Sequence, residues 1–156
     1  MVGNIYKGKI ANVLPGMEAA FVDIGVGKNA YLQVKEIIKT KGSDLRIRDM
    51  IKAGQEIIVQ VVKDGTGGKG PKVTTKLSYP GKYMVLLLEN DEIGISRRIN
   101  RSDEIERLEN LVEEFKPSNL GVIIRTEAEN KVSCELEKDL QLLIKKHNVI
   151  LERAKK

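Results

Sequence analysis

The sequence has little of the residue types that most often build covalent cross-links and metal sites. Its 156 residues include one cysteine, one histidine and no tryptophan, and its aromatic residues are four tyrosines and two phenylalanines. A single cysteine excludes an internal disulfide and any metal site that takes two cysteines from one chain. We therefore expect Cys134 to be a small buried hydrophobic residue. His147 falls on the apolar stripe of the last predicted helix with no second ligand near it in sequence, so we expect it to pack in the core rather than act in catalysis.

Long apolar runs are also lacking. No stretch approaches the roughly eighteen apolar residues of a membrane span, and the first four residues lack the charged and apolar regions of a signal peptide. These patterns predict a cytoplasmic protein with no membrane partner. Lysine and arginine number 27 against 22 acidic residues, which gives a net charge of +5. A basic surface suits a polyanionic partner, although a merely soluble basic protein fits the same charge.

A glycine-rich segment, residues 67–72, stands between two apolar runs of the chain. Four of its six residues are glycine or proline, which predicts a tight exposed turn. Gly65, Gly67 and Gly70 have the spacing of a dinucleotide-binding loop. That loop must open a helix, however, whereas Pro71 and the β-branched residues after it predict a strand. An ATP-binding loop is excluded as well, because Gly70 is followed by Pro71 instead of lysine and a hydroxyl residue.

Alternating apolar residues and β-branched runs predict five strands in the first half of the chain. They are Asn4–Leu14, Ala19–Ile24, Ala30–Val34, Glu56–Lys63 and Val73–Leu77. Between the third and the fourth, residues 35–53 lose the pattern and predict a connection with one or two short helical turns. Five antiparallel strands with this longer connection are the plan of an OB-fold barrel, a fold that binds single-stranded nucleic acid. We predict an α+β chain with the five-stranded barrel in residues 1–76 and a small strand-and-helix unit in residues 77–156.

Two aromatic residues on adjacent predicted strands, Phe21 and Tyr31, are candidates for stacking against RNA bases. Three lysines on the turns and strand ends of the predicted barrel, Lys28, Lys69 and Lys72, are candidates for contacts to the RNA backbone. The alternative is that both aromatic residues belong to the barrel core, since aromatic side chains are more often buried than exposed.

The second half of the chain alternates strand patterns with helix patterns. Apolar runs at Tyr83–Leu88, Gly94–Ile99 and Gly121–Ile124 predict strands. A period of 3.6 residues predicts helices at Asp103–Phe115 and Val132–Ala154. We expect the carboxylates of the first helix to lie on a solvated face.

The strand at Gly121–Ile124 delivers Arg125 and Thr126 at its C-terminal end. The planar guanidinium of an arginine can donate two parallel hydrogen bonds to one phosphate. The alternative is an ordinary surface arginine that pairs with Glu127 or Glu129.

Six blocks of the sequence carry a resemblance to a known family. They are Asn4–Ile10, Met17–Asp23, Gly68–Gly70 with Thr74 and Thr75, Gly81–Tyr83, Gly94–Ile99 and Gly121–Thr126. In order and approximate spacing, over nearly the whole chain, these blocks resemble the N-terminal part of the ribonuclease E/G family of bacterial endoribonucleases.

The resemblance implies an RNA-binding OB-type barrel, of the kind named after ribosomal protein S-one, followed by a subdomain that senses the 5′ end of RNA. The family's RNA-contacting positions in the barrel match Phe21, Tyr31 and Lys69. Its sensor-pocket positions match Gly81, Val85, Arg125 and Thr126. The implied partner is single-stranded RNA with a 5′-monophosphate, and we expect Gly81 to let the backbone approach the terminal nucleotide closely.

The resemblance also implies parts of the family enzyme that lie beyond the matched blocks. Family members begin with an additional segment of an RNase H-like subdomain, and they continue into a domain with metal-binding aspartates and zinc-linking cysteines. None of those catalytic positions is matched by Asp23, Asp44, Asp49, Asp64 or Asp91. We therefore predict no catalytic residue, no metal site and no cofactor in this chain, which should not hydrolyse RNA alone. Magnesium and a homo-oligomeric state are implied for the full family enzyme, and the family's aromatic residue in the last helix is replaced by His147.

Three functions remain open on the sequence. The first is the RNA-binding and end-sensing portion of an endoribonuclease that acts in RNA processing and decay. The second is a stand-alone RNA-binding or ribosome-associated module. The third is a protein-interaction domain whose basic charge is incidental.

Overall fold

Residues 2–38 and 51–155 are described by a computed structural model. Two sheets form in these residues, one in each of two units, Met1–Leu77 and Ser78–Lys156. The predicted division falls one residue earlier, between residues 76 and 77. A short 3-10 helix occupies Val34–Glu36. Residues 39–50 of the predicted connection lie outside the described residues.

Five strands of the first unit close into a barrel in the order β1-β2-β3-β5-β4. They are β1 (Ile5–Leu14), β2 (Ala19–Asp23), β3 (Ala30–Gln33), β4 (Glu56–Lys63) and β5 (Lys72–Thr74). This order confirms the OB-fold prediction. The last strand is shorter than predicted, because the backbone N–H of Thr75 leaves the ladder and donates to the carbonyl of Glu36 at 2.9 Å.

One pairing in the barrel differs from the predicted antiparallel arrangement. β3 and β5 run parallel, with Tyr31 opposite Lys72 and Leu32 opposite Val73. The reason is geometric, since five strands that alternate in direction along the chain cannot close into a ring without one parallel pair. The core inside the ring is formed by apolar residues that include Ile10, Val22, Leu32, Val59 and Val73.

The second unit contains a four-stranded sheet in the order β6-β7-β9-β8 and two long helices. Its elements are β6 (Ser78–Pro80), β7 (Met84–Leu87), β8 (Ile93–Ile95), α1 (Ser102–Phe115), β9 (Gly121–Ile124) and α2 (Ser133–Ala154). β6 has no counterpart among the predicted strands, because Pro80 and Gly81 are turn signals in sequence. A proline is tolerated there because β6 is an edge strand.

Each helix buries an apolar stripe against the sheet. The buried residues of the two stripes are Leu108, Leu111, Val112, Leu136, Leu140 and Leu143, and those of the sheet are Met84, Leu86, Val122 and Ile124. Cys134 is exposed, so the prediction of a buried thiol is wrong. It lies two positions before Leu136 in the first turn of α2, which places it roughly 200° around the helix from the buried stripe.

The stripe of α2 also carries a buried polar pair. His147 is 4% exposed, and its Nδ1 lies 2.9 Å from the hydroxyl oxygen of Tyr79 on β6. The two rings meet edge to face with centroids 5.3 Å apart. Burial raises the pKa of Tyr79 to about 12 and lowers the pKa of His147, which favours the neutral form of each group. His147 is therefore a core residue, as the sequence predicts.

One carboxylate of α1 does not lie on the predicted solvated face. Glu104 is 4% exposed and accepts hydrogen bonds from Arg107, at 2.7 Å from Nε and 2.9 Å from Nη2. The backbone N–H of Asn130 also donates to Glu104, and Arg107 Nη2 donates to the carbonyl of Lys131 at 2.9 Å. The bonds from Arg107 lower the pKa of Glu104 to about 2. This buried ion pair ties the first turns of α1 to the loop before α2.

We expect the stability of the second unit to depend on pH through His147. The folded protein favours the neutral ring, whereas the unfolded chain takes up a proton near pH 6.5. The free energy of unfolding should therefore be highest above about pH 6.5 and decrease as the pH falls below it. Urea unfolding across this range measures the slope, which His147→Phe should reduce. An unchanged slope in the variant contradicts this role of His147.

Glu104→Gln should destabilise the second unit by about 1.5–3 kcal/mol, because Arg107 loses its charged partner. The folded pKa of Glu104 is about 2, against roughly 4.3 in an unfolded chain. Its contribution is therefore present above about pH 4.3 and is lost as the pH falls toward 2. Urea unfolding at about pH 7 and pH 3 should show a smaller difference between wild type and variant at the lower pH.

The matched control is Glu109→Gln, which changes an exposed carboxylate of the same helix. Equal effects of the two substitutions on the free energy of unfolding would show that the buried ion pair contributes nothing.

Candidate functional site

The first candidate site lies on the outer face of β2 and β3. The register places Phe21 opposite Tyr31, and their ring centroids are 6.1 Å apart at an interplanar angle of 56°. Their neighbours along the two strands, Ala20, Val22 and Leu32, are fully buried in the barrel. Both rings are half-buried and lie outside that core cluster. The alternative that sequence leaves open, two core aromatics, does not describe this barrel.

A groove of about 670 Å³ lies beside the two rings. Its lining includes all five residues predicted to contact RNA, namely Phe21, Lys28, Tyr31, Lys69 and Lys72. The three lysines are exposed, and within the described ranges none of them forms an ion pair. The groove therefore combines flat apolar rings with uncompensated positive charge, which suits bases and phosphates respectively.

The glycine-rich turn places its lysine at the edge of this groove. A side chain at position 70 would put its Cβ 2.1 Å from the carbonyl oxygen of Asn29, so only glycine allows the turn to lie against that residue. The backbone N–H of Tyr31 donates to the carbonyl of Pro71 at 2.8 Å, which continues the contact into the β3–β5 pairing. The turn is thus attached to the strand that carries one of the two rings, and Lys69 is held beside it.

Five further lining residues are missing from the sequence-based prediction of RNA contacts: Met17, Asn29, Gln33, Gly68 and Gly70. Gln33 could have been found, since the period of two along β3 places it on the same face as Tyr31. Met17 could not, because it belongs to a 3-10 helix, Pro15–Met17, that brings it to the groove with its side chain 63% exposed.

The second candidate site lies at one edge of the four-stranded sheet. β8 and β9 are parallel, so their C-terminal ends meet at the same edge, where the antiparallel β7 begins. Ser96 follows β8, Arg125 and Thr126 follow β9, and Gly81–Tyr83 precede β7. Topology therefore gathers three loops that are far apart in sequence.

Hydrogen bonds connect these loops directly. Nη1 of Arg125 donates to the carbonyl of Gly81 at 3.1 Å, and the backbone N–H of Arg125 donates to the carbonyl of Tyr83 at 2.8 Å. The hydroxyl oxygens of Ser96 and Thr126 lie 2.6 Å apart. The guanidinium side chain is 44% exposed, and its Nε lies 3.3 Å from a carboxylate oxygen of Glu127. The pairing with Glu127 that sequence leaves open is therefore present, beside the contact to Gly81.

The other two predicted residues of this site are Val85 and Gly81. Val85 lies inside β7, in register with Pro80 and Ile123, as the predicted strand Tyr83–Leu88 implies. A Cβ at Gly81 would meet the two carboxylate oxygens of Asp139 at 2.8 and 2.9 Å. The packing of α2 by itself therefore requires glycine at position 81.

Two residues that sequence reasoning missed also belong here. The Ser96 hydroxyl contacts Thr126 and accepts a hydrogen bond from the backbone N–H of Arg98 at 3.3 Å. Arg98 is exposed. A pattern in the sequence could have indicated both residues, because a serine and two arginines directly follow β8. This strand pairs in parallel with β9.

The described residues contain no grouping suited to a metal ion. Across residues 2–38 and 51–155, no three histidine, cysteine, aspartate or glutamate side chains come together in a way that could hold one. In the same ranges, no helix has the length and apolar character needed to cross a membrane.

Comparison with known proteins places the second unit in a family. The model of the ribonuclease E/G family matches residues 78–156, which is half of the chain. The chain belongs to the ribonuclease E/G family. Ribonuclease G of Escherichia coli strain K12 is 40% identical over 166 residues, which cover all of this chain and 34% of that protein. Ribonuclease E of a Synechocystis species is 37% identical over 156 residues, covering 98% of this chain and 23% of that protein.

The chain thus spans about a third of the length of the Ribonuclease G proteins that it matches. Among solved structures, a putative exosome complex RNA-binding protein matches at 18% identity with a TM-score of 0.40, covering 96% of each chain. At this TM-score the assignment of the barrel rests on its strand order alone.

Proposed function

We propose that this chain is the RNA-binding and 5′-end-sensing portion of a ribonuclease E/G-type endoribonuclease that acts in RNA processing and decay. The observation that carries the proposal is the groove of the barrel. It joins Phe21 and Tyr31 to three lysines that have no acidic partner among the described residues. Membership of the family supports the same assignment.

In the barrel, single-stranded RNA would place bases against the two rings and phosphates near the lysines. Stacking accepts any base, because every base has a flat face, and the lysines follow a backbone whose charge is the same at every nucleotide. The groove thus suits RNA of varied sequence. A duplex fits this arrangement poorly, since its bases are stacked on one another and closed to the protein rings.

In the second unit, the 5′-monophosphate would lie against the groups at the sheet edge. Arg125 offers a planar set of donors, and the paired hydroxyls of Ser96 and Thr126 follow strands that end at the same edge of the sheet. The contact to the Gly81 carbonyl restricts the orientation of the guanidinium, so less rotational freedom is lost when a phosphate binds. A 5′-hydroxyl end lacks the charge that these donors prefer.

Hydrolysis is assigned to other parts of the family enzyme. A metal-dependent nuclease needs carboxylates that hold its ions, and the described residues do not provide such a group. We therefore propose that added magnesium does not make this chain cut RNA. A cytoplasmic location and a homo-oligomeric full-length enzyme complete the proposal.

Phe21→Ala and Tyr31→Ala should each weaken binding of a single-stranded RNA oligomer. Stacking contributes about 1–3 kcal/mol per base on an alanine-substitution scale, so a loss of roughly fivefold or more is expected. Lys69→Ala should instead reduce the dependence of affinity on salt by about one unit of slope.

Fluorescence anisotropy over a salt series measures both effects. Lys52→Ala is the control, because Lys52 is exposed in the same unit but does not line the groove. Folded aromatic variants that bind RNA as tightly as wild type would rule out stacking in this groove.

Arg125→Ala should lower the affinity for a 5′-phosphorylated oligomer by about tenfold, because charged hydrogen bonds contribute roughly 1.5–3 kcal/mol. The affinity for the matched 5′-hydroxyl oligomer should change little. Arg153→Ala, which removes an exposed arginine near the end of α2, controls for a general loss of positive charge. Equal affinities of the folded wild type for the two oligomers would refute end sensing by this chain.

A further inference from the structure

We propose that Asp139 is the positioning residue of the 5′-phosphate site. Its carboxylate fixes the loop before β7 and thereby presents the Gly81 carbonyl to the guanidinium of Arg125. This inference rests on the proposed end-sensing function, and it adds a residue from α2 that would not touch the RNA.

The carboxylate of Asp139 is bound by backbone donors of one loop. It accepts hydrogen bonds from the backbone N–H groups of Lys82 at 3.0 Å, Tyr83 at 2.9 Å and Met84 at 3.1 Å. The residue is 9% exposed. A buried carboxylate is tolerated only where hydrogen bonds compensate for lost water, so these three bonds must be kept in the folded protein.

The same carboxylate lies against the α-carbon of Gly81. A Cβ there would meet its oxygens at 2.8 and 2.9 Å and the Cδ1 atom of Leu143 at 2.9 Å. The backbone N–H of Gly81 donates to the carbonyl of Met84 at 2.7 Å, which closes the loop on itself. Helix α2 therefore sets the position of residues 81–84 through a close contact and three hydrogen bonds.

The same loop, residues 81–84, also binds Arg125 through two of its carbonyl groups. The carbonyl of Gly81 accepts from Nη1 of Arg125 at 3.1 Å, and the carbonyl of Tyr83 accepts from its backbone N–H at 2.8 Å. Both acceptors belong to the segment that Asp139 fixes. A shift of that segment would move the carbonyl that orients the guanidinium.

Asp139 also decides which donors remain for the phosphate. Successive backbone N–H groups directed at one point form a common anion-binding arrangement. Here the three N–H groups of the loop are already occupied by an internal anion. The donors left at the sheet edge belong to side chains, namely Arg125, the exposed Arg98 and the hydroxyls of Ser96 and Thr126. Of these, Arg125 is the one that bonds to the loop fixed by Asp139.

The test is Asp139→Asn, which keeps the size of the side chain but replaces one accepting oxygen with an NH2 group. We expect the ratio of affinities for 5′-phosphate and 5′-hydroxyl oligomers to fall by about fivefold or more. The affinity for the 5′-hydroxyl oligomer, which reports on the barrel, should stay the same. Tyr79→Phe is the matched control, because it removes a buried hydrogen bond between α2 and the sheet without touching the loop, and it should keep the ratio.

The outcomes distinguish failure of the positioning role from failure of end sensing. If wild type discriminates the two ends and Asp139→Asn still does, the positioning role is wrong and end sensing stands. If wild type does not discriminate, end sensing fails and the positioning role fails with it. If Asp139→Asn does not fold, amide hydrogen exchange in wild type decides. Protection of residues 82–84 that persists on adding a 5′-phosphorylated trinucleotide supports the role, and protection lost on binding overturns it.

Discussion

Parallel strand pairing is the constraint on which both candidate sites depend. In the barrel, β3 and β5 run side by side in the same direction, which places Tyr31 opposite Lys72 and brings an aromatic ring and a lysine together. In the second sheet, β8 and β9 are parallel and end at the same edge, which brings Ser96 beside Thr126. Antiparallel pairing would send the loops that precede β3 and β5 to opposite ends of the barrel, and the loops that follow β8 and β9 to opposite ends of the second sheet. The polar groups of each site then could not meet.

Buried polar groups connect the helices of the second unit to its strands and loops. Glu104 joins α1 to the loop at Asn130, Asp139 joins α2 to the loop before β7, and His147 joins α2 to β6. No described buried side-chain nitrogen or oxygen lacks a hydrogen-bond partner. Such bonds are directional, whereas apolar packing against a sheet permits sliding. They fix where each helix lies, and so they fix the loops that carry Arg125 and Thr126.

The sequence was sufficient for the barrel, the helices and the family, because these depend on period and on local motifs. Alternation predicts the strands, and the strand order and the family model confirm the fold and the resemblance. It was not sufficient for contacts made across the fold. The burial of Glu104 depends on Arg107 and on a loop 26 residues away, and the exposure of Cys134 depends on where α2 begins. The close contact of Gly81 with Asp139 joins residues that no local pattern relates.

Two carboxylates of the chain, Asp139 and Glu127, bind hydrogen-bond donors at the sheet edge, and they differ in burial. Asp139 is buried and bonded to three N–H groups of the loop, so removing it would leave those groups without partners. Glu127 is exposed and pairs with Arg125 at the surface, where an ion pair contributes little and is screened by salt. In the proposed end-sensing function, a 5′-phosphate would replace Glu127 at the guanidinium and would gain nothing by competing with Asp139 for the loop. The difference in burial between the two carboxylates thus separates donors that maintain the fold from donors that remain available to a ligand.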